Sequence, residues 1–352
     1  MSDDVWAERD TTPGRIEAAL RRLLIERHQQ SHSFVPARVM NLVVVVDAQF
    51  RGEIENRLER VGRYHPSRLV VCAVSPGRTA IDAWATMAAD DDDPKPGHIA
   101  VARERVELDL GPQHLKGLDT IVDPLLVSDL ATMVWAPHGH AEALDQLRRL
   151  AQIVLIDSQD EPELRGAVAR ALDLTSSAYV VDLAWLRSTP WRERVAAAFD
   201  PPAVRRTLAE ITRVTVRHRS DSAAAGLLFC GWLSSRLGWR PEELSARRTT
   251  LVGHARAKRG DVAVALEPVE DMNAPGLAGV TIESASGAAV SLDRAPGGLL
   301  ARRRTRDGSE RSWTVLGASR GEGGILGEGV RQALLRDPTY VPAVRCARVM
   351  AG

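Results

Sequence analysis

The chain opens on an amphipathic stretch and then turns sharply apolar. Ile16, Leu20, Leu23 and Leu24 fall on one face of a helix expected over residues 15–29. RVMNLVVVVD, at 38–47, is a continuous β-branched run, the pattern of a strand buried on both faces. Ile54, Leu58 and Val61 mark a helix that stops near Gly62, and RLVVCAV follows as a second buried strand. Two strands joined by a short helical crossover form a β–α–β unit, whose strands run parallel. The acidic stretch ADDDDPKPGH reads as a solvated loop, and HIAVARERVELDL as the next strand. LATMVWAP and QIVLID are shorter strands separated by a helix carrying Leu144, Leu147 and Leu150. Strands alternating with helices predict an open α/β sheet.

Near residue 175 the pattern changes. STPWRERVAAAF offers Ser188 and Thr189 as a cap, Pro190 at the first helical position, and Trp191, Val195, Ala198 and Phe199 on one face. AAAGLLFCGWLSSRLGW, at 223–239, is apolar nearly all round in its first half, which predicts a buried helix ended by Gly238 and Pro241. TTLVGHA, VAVALEPVE, GVTIES, AAVSLDRA, LLARRRTR and RSWTVLG then read as short strands, with the Asp-Gly of RDGS (306–309) as a tight hairpin turn. A final helix is expected near 325–336. The expected architecture is an α/β N-terminal domain over 1–175, an open, mostly parallel sheet with flanking helices. An α+β C-terminal domain over 176–352 follows, with an antiparallel meander and a C-terminal helix. A length of 352 residues suits two domains of about 100–200 residues each.

Composition narrows the class. Apolar residues make up 44% and charged residues 26%, ordinary globular values. No apolar run reaches the ~18 residues of a membrane span. The acidic start MSDDVWAERD lacks the basic and apolar regions of a secretion signal, so a cytoplasmic protein is expected. The formal net charge of zero hides an asymmetry: residues 1–150 hold 18 Lys/Arg against 23 Asp/Glu, and residues 201–260 hold 12 against 4. A basic segment suits nucleic acid, a phosphate ligand or an acidic partner. Nucleic acid ranks last, because Phe229 and Trp232 fall in the expected buried helix, where they offer bases no stacking platform.

Candidate chemistry is sparse. His65, Ser67 and Arg68 flank Pro66, which holds the chain extended before the strand. The structural expectation is that His65 caps the preceding helix and Arg68 pairs with a carboxylate or a helix C-terminus. Asp157 and Ser158 sit at the end of the strand IVLID, where open α/β sheets bind ligands. A helix cap is the favoured reading of Ser158, ahead of Leu164, Val168 and Leu172. His138 and His140 lack a third ligand, so no metal is expected and the loop should face solvent. Arg302, Arg303, Arg304 and Arg306 suit either phosphate contact or a solvated hairpin face. Cys72, Cys230 and Cys346 stand far apart; the first two lie in apolar runs and read as inert thiols. RGEGGILGEG departs from the dinucleotide fingerprint, and no phosphate-loop or nucleophile-elbow motif occurs. Neither a catalytic group nor a cofactor site emerges.

Several blocks nevertheless resemble one family in order and spacing. DLAWLRSTPWRERVAAAFD (182–200) carries Asp182, Leu183, Trp185, Arg187, Pro190, Trp191 and Arg192 in the D-L-x-W-x-R-x-x-P-W-R pattern of the glucose-6-phosphate dehydrogenase assembly protein family, OpcA. LLFCGWLSSRLGW resembles the helix that follows, and RVMNLVVVV, HPSR, VDPLLVSDLATMVW, LIDS and ILGEGVRQALLRDPTY fall in the family's order. Two positions depart from it: Ala131 stands for a proline, and Trp135-Ala136 for paired tryptophans. The resemblance implies a protein that assembles or activates the dehydrogenase of the oxidative pentose phosphate pathway without catalysing a reaction itself. Trp and Arg most often dominate such interfaces. Asp182, Trp185, Arg187, Pro190, Trp191 and Arg192 are therefore the interface candidates. The alternative is a sugar-phosphate or nucleotide-binding regulator using His65, Ser67, Arg68, Asp157 and Ser158.

Overall fold

Val43, Val44, Val45 and Val46 have no solvent exposure, so the strand that carries them is covered on both faces. The computed structural model describes residues 4–30, 34–35, 38–62, 66–89, 100–137, 139–316 and 321–352; His65, His138 and residues 90–99 lie outside them. The first sheet comprises β1 (Asp4–Glu8), β2 (Phe34–Val35), β3 (Met40–Asp47), β4 (Ser67–Val74), β5 (Asp82–Ala89), β6 (Ala100–Leu110), β7 (Thr132–Trp135), β8 (Ile153–Ile156) and β9 (Tyr179–Asp182). Its order is β1-β5-β6-β4-β3-β7-β8-β9, with β2 paired to β6. β3 runs parallel to β4 and β7, in register Met40 with Ser67 and Asn41 with Thr132. β4 is parallel to β6, and β7 to β8. The sheet is therefore mostly parallel, as expected, with an antiparallel edge of β1 and β5 absent from the sequence reading. β5 buries Ala83, Ala85 and Met87, and alanines signal a strand weakly.

Helices α1 (Pro13–Gln30), α2 (Arg51–Gly62), α3 (Leu118–Val122), α4 (Ala141–Leu147) and α5 (Leu164–Leu174) punctuate these strands. The buried Asn41 side chain ties a connecting loop to β3. Its amide donates to the carbonyls of Val127 and Leu130 at 3.0 and 3.3 Å and accepts from Val127 N at 3.0 Å. Buried polar groups persist where they are satisfied in this way.

The rest of the chain holds α6 (Leu183–Arg187), α7 (Thr189–Phe199), α8 (Pro202–Arg205), β10 (Ile211–Arg219), α9 (Ala223–Leu237), β11 (Arg240–Pro241), β12 (Ser245–Arg247), β13 (Thr250–Ala257), β14 (Gly260–Val269), β15 (Leu277–Ser284), β16 (Ala289–Ala295), β17 (Gly298–Arg304), β18 (Glu310–Leu316), α10 (Gly321–Leu335) and α11 (Tyr340–Met350). The second sheet has the order β11-β13-β14-β10-β15-β16-β17-β18, with β12 on β13. β15 to β18 form the expected antiparallel meander, and Gly308 (φ +85°) turns its last hairpin. β10, unread in the sequence, inserts between β14 and β15 and runs parallel to β14. α11 is a correction: the chain does not end on the helix near 325–336, and Tyr340–Met350 forms another. It packs on α9 and α5. Gly231 permits the approach to α9, since a Cβ there would stand 2.3 Å from Ala343 O.

Two compact units result. The first comprises residues 1–156, 177–181 and 326–335, and the second 157–176, 182–325 and 336–352.

Candidate functional site

Asp182 ends β9 and opens α6. Its backbone is extended (φ −110°, ψ 119°), and its carboxylate accepts from Ala184 N at 3.0 Å, as an N-cap does. The same carboxylate accepts from Ser158 N (3.1 Å), Ser158 Oγ (2.6 Å) and Tyr340 OH (3.0 Å). Burial pushes the Asp182 carboxyl above its ordinary range, and the Asp157 charge adds to the rise; hydrogen bonds from Ser158 and Tyr340 act the other way. Ser158 thus does not cap the helix after it, which corrects the sequence reading. α5 starts behind Glu163, and the Ser158 hydroxyl is occupied by Asp182.

The neighbouring groups are equally committed. Arg187 donates to both Asp157 oxygens, at 2.9 and 2.7 Å, and both side chains are 7% exposed. Trp185 Nε1 donates to Asp337 Oδ2 at 2.9 Å, and its ring meets Tyr340 edge-on at 5.5 Å. The Arg192 guanidinium lies 3.4 Å over the Trp185 ring. It donates to Trp185 O (2.9 Å), Ser188 Oγ (2.8 Å) and Thr189 Oγ1 (3.0 Å), with Asp337 Oδ2 at 3.8 Å. Burial pulls Arg192 down to about 9, which leaves it cationic at neutral pH. Burial would raise Asp337, but hydrogen bonds from Thr339 and Trp185 and the Arg192 charge hold it below the usual carboxylate range. Ser188 occupies the N-cap position of α7 without capping it, because its hydroxyl donates to Trp185 O at 2.7 Å.

These contacts enclose most of the interface candidates. Asp182, Trp185, Trp191 and Arg192 are buried, and Arg187 is sealed by Asp157. Pro190 and Arg187 are intermediate in exposure. Trp191 lies with Val195, Ala198 and Phe199 on the buried face of α7, as the spacing implied. Asp337 and Tyr340 are essential to the cluster and were missed. The one local signal is DPT, whose Asp337 accepts from Thr339 N at 2.8 Å in an Asx turn. Chemically, the cluster braces α6, α7 and the entry to α11. The Ser158 hydroxyl is buried and donates to the Asp182 carboxylate.

In the first unit, Arg68 pairs with Glu104 at 2.7 Å and donates to Leu125 O at 3.0 Å, while Arg38 takes the other Glu104 oxygen. Ser67 is half-buried at the start of β4. His140 does not face solvent: its side chain is 12% exposed and its Nε2 lies 3.1 Å from Asp47. Its backbone turns there at φ +54°. Among the described residues, no three His, Cys, Asp or Glu side chains are grouped to hold a metal ion. Burial pushes the Cys72 and Cys230 thiols up to about 12, away from thiolate chemistry.

The structure defines a two-sheet α/β protein with a mostly parallel N-terminal sheet, a mostly antiparallel C-terminal one and a saturated polar cluster. The chain belongs to the glucose-6-phosphate dehydrogenase subunit family, OpcA: residues 58–172 match its N-terminal domain and residues 178–344 its C-terminal domain. An OxPP cycle protein OpcA from Synechococcus elongatus is 28% identical over 186 residues, covering 51% of this chain and 42% of that protein. One from Nostoc punctiforme is 32% identical over 131 residues, covering 36% and 28%. The chain spans less than half the length of these curated relatives. Among solved structures, an oxidoreductase domain protein from Kribbella flavida aligns with a TM-score of 0.44 at 13% identity, covering 88% of this chain and 95% of that one. Apo scyllo-inositol dehydrogenase from Lactobacillus casei aligns at 0.44 and 9%, covering 90% and 96%. Likeness at this level has no bearing on function. No helix among the described residues is long and apolar enough to cross a membrane.

Proposed function

We propose that this protein is a non-catalytic, cytoplasmic partner of glucose-6-phosphate dehydrogenase that binds the enzyme and favours its active oligomer, in support of the oxidative pentose phosphate pathway. The observation that carries the reading is the match of both halves of the chain to domains described as subunit domains of that enzyme. A protein of this kind acts only through differential affinity: it shifts the enzyme towards whichever form it binds more tightly. Its equipment is then a rigid surface. The 182–192 block supplies the rigidity, because its buried aromatic, arginine and carboxylate groups lock two helices in place. Contact falls to exposed residues, and Trp313, 39% exposed on the edge strand β18, is the position to test.

The test is calorimetric titration of the full chain into purified dehydrogenase. Saturable binding at micromolar concentration is expected, and Trp313→Ala should weaken it by ~2 kcal/mol if that residue is a hot spot. An absence of binding would overturn the reading. The ligand-binding alternative at the strand ends is not favoured, since Ser158 and Arg68 are held by Asp182 and Glu104.

A further inference from the structure

The second unit contains a cavity of about 350 Å³ where β15, β16 and β17 end beside α7 and α8. Phe199, Ile211, Ile282 and Val290 give it an apolar wall, while Arg304, Thr305 and Arg306 stand at its mouth. Its floor contains an anomaly. Along β17, Leu299 and Ala301 face the core, and Arg303 continues the same inward row. Arg303 sits opposite Val290, which sits opposite Ile282. A cation thus occupies a position that the strand pattern reserves for an apolar side chain. The expected solvated hairpin face holds for Arg302, Arg304 and Arg306, which are exposed, and fails for Arg303, which is half-buried.

Arg303 is only partly satisfied. One terminal nitrogen donates to Ala198 O near the end of α7. Its Nε is buried and has no hydrogen-bond partner among the described residues. A buried donor without an acceptor is costly, so the Arg303 guanidinium is held within the apolar row by little besides the Ala198 carbonyl. The carboxylates of the lining are engaged: Glu283 lies 3.6 Å from Arg213 and 3.8 Å from Arg304, and Glu210 lies 4.0 Å from Arg259. Arg304 shares its charge with Glu283 and donates to Gly287 O at 3.0 Å, so Arg303 and Arg306 carry the positive charge that disposes the cavity to an oxyanion. The guanidinium fork suits phosphate and carboxylate alike.

We infer that this cavity binds a small metabolite with an oxyanion on an apolar or planar body. The oxyanion meets Arg303 and Arg306, and the body lies against Phe199, Ile211 and Ile282. The volume lies at the small end of ligand pockets, about 300–1,000 Å³, and fits a molecule of mononucleotide size. The site needs no dehydrogenase for its test.

The experiment is calorimetry and thermal melting of the full chain with four probes: AMP, adenosine, inorganic phosphate and decanoate. AMP or decanoate should bind and raise the melting temperature, and adenosine and inorganic phosphate should bind at least about tenfold more weakly. Tighter binding of AMP identifies a phosphate ligand, and tighter binding of decanoate a carboxylate. Arg303→Met, which keeps the stem, should weaken the bound probe by about tenfold or more. Arg302→Ala, on the opposite face of β17, should leave it unchanged. Should Arg303→Met fail to fold, the exposed pair Arg304→Ala/Arg306→Ala takes its place with the same expectation. No binding of AMP or decanoate, equal binding of inorganic phosphate, or equal affinity in the pocket and Arg302 variants overturns the site.

Discussion

Arg192 lies 3.4 Å over the ring of Trp185, and Arg303 lies 5.7 Å from the ring of Trp313. The residue types are the same and the situations opposite. Trp185 and Arg192 are buried, and their polar atoms are matched by Asp337, Ser188, Thr189 and a main-chain carbonyl. Trp313 is exposed on an edge strand, and the Nε of Arg303 has no hydrogen-bond partner among the described residues. Residue type alone marks both pairs as interface material. What separates them is burial: Trp185 and Arg192 are enclosed in the scaffold, whereas Trp313 lies where a partner can reach it.

The tryptophans test that contrast most strongly. Trp185→Ala should cost folding ~3–5 kcal/mol, as large aromatic deletions from a core do. Trp313→Ala should stay within ~0.5 kcal/mol. Denaturant melts of the two variants measure both values, and equal losses would break the comparison. Next come the arginines. Arg187→Ala leaves Asp157 buried without its counter-charge and should cost ~3 kcal/mol or more. Arg302, exposed and 3.3 Å from Asp293, should cost at most ~1 kcal/mol on replacement by Ala. Thermal melts distinguish them, and a large loss at Arg302 would show that the hairpin belongs to the scaffold.

A smaller effect should appear in the pH dependence of stability. Asp182 is raised by burial, so its contribution is fullest below the unfolded pKa and falls as pH rises through the folded one. Asp337 is lowered, so its contribution is present above the unfolded pKa and is lost as pH falls through the folded one. Urea melts from about pH 3 to pH 7 should therefore show the wild type losing ground to Asp182→Asn as pH climbs, and gaining ground on Asp337→Asn. Wild-type and variant curves that run parallel would contradict both assignments.

The sequence was most readable where one physical signal dominated. β3 and β4 follow from β-branched runs, α9 from an apolar segment closed by Gly238 (φ +67°), and the last hairpin from Asp-Gly. β10 had a period of two, with Val214, Val216 and His218 buried between Arg213, Thr215 and Arg217. The arginines and the histidine masked that alternation. The 182–192 block was found through resemblance, yet exposure is not written in its pattern. Trp185 is buried because Asp337, 152 residues away, receives its indole N–H, and a local reading cannot foresee that partner. Arg303 looked like one of four exposed arginines until its pairing with Val290 fixed the face it occupies.

The most direct test of the central claim joins assembly to activity in the same samples. The dehydrogenase is sedimented with increasing amounts of this protein, and its activity is assayed in each fraction. Mass and activity should rise together and saturate at the same ratio, with Trp313→Ala shifting both to higher concentration. Mass and activity that stay unchanged at saturating amounts of the folded protein would contradict it.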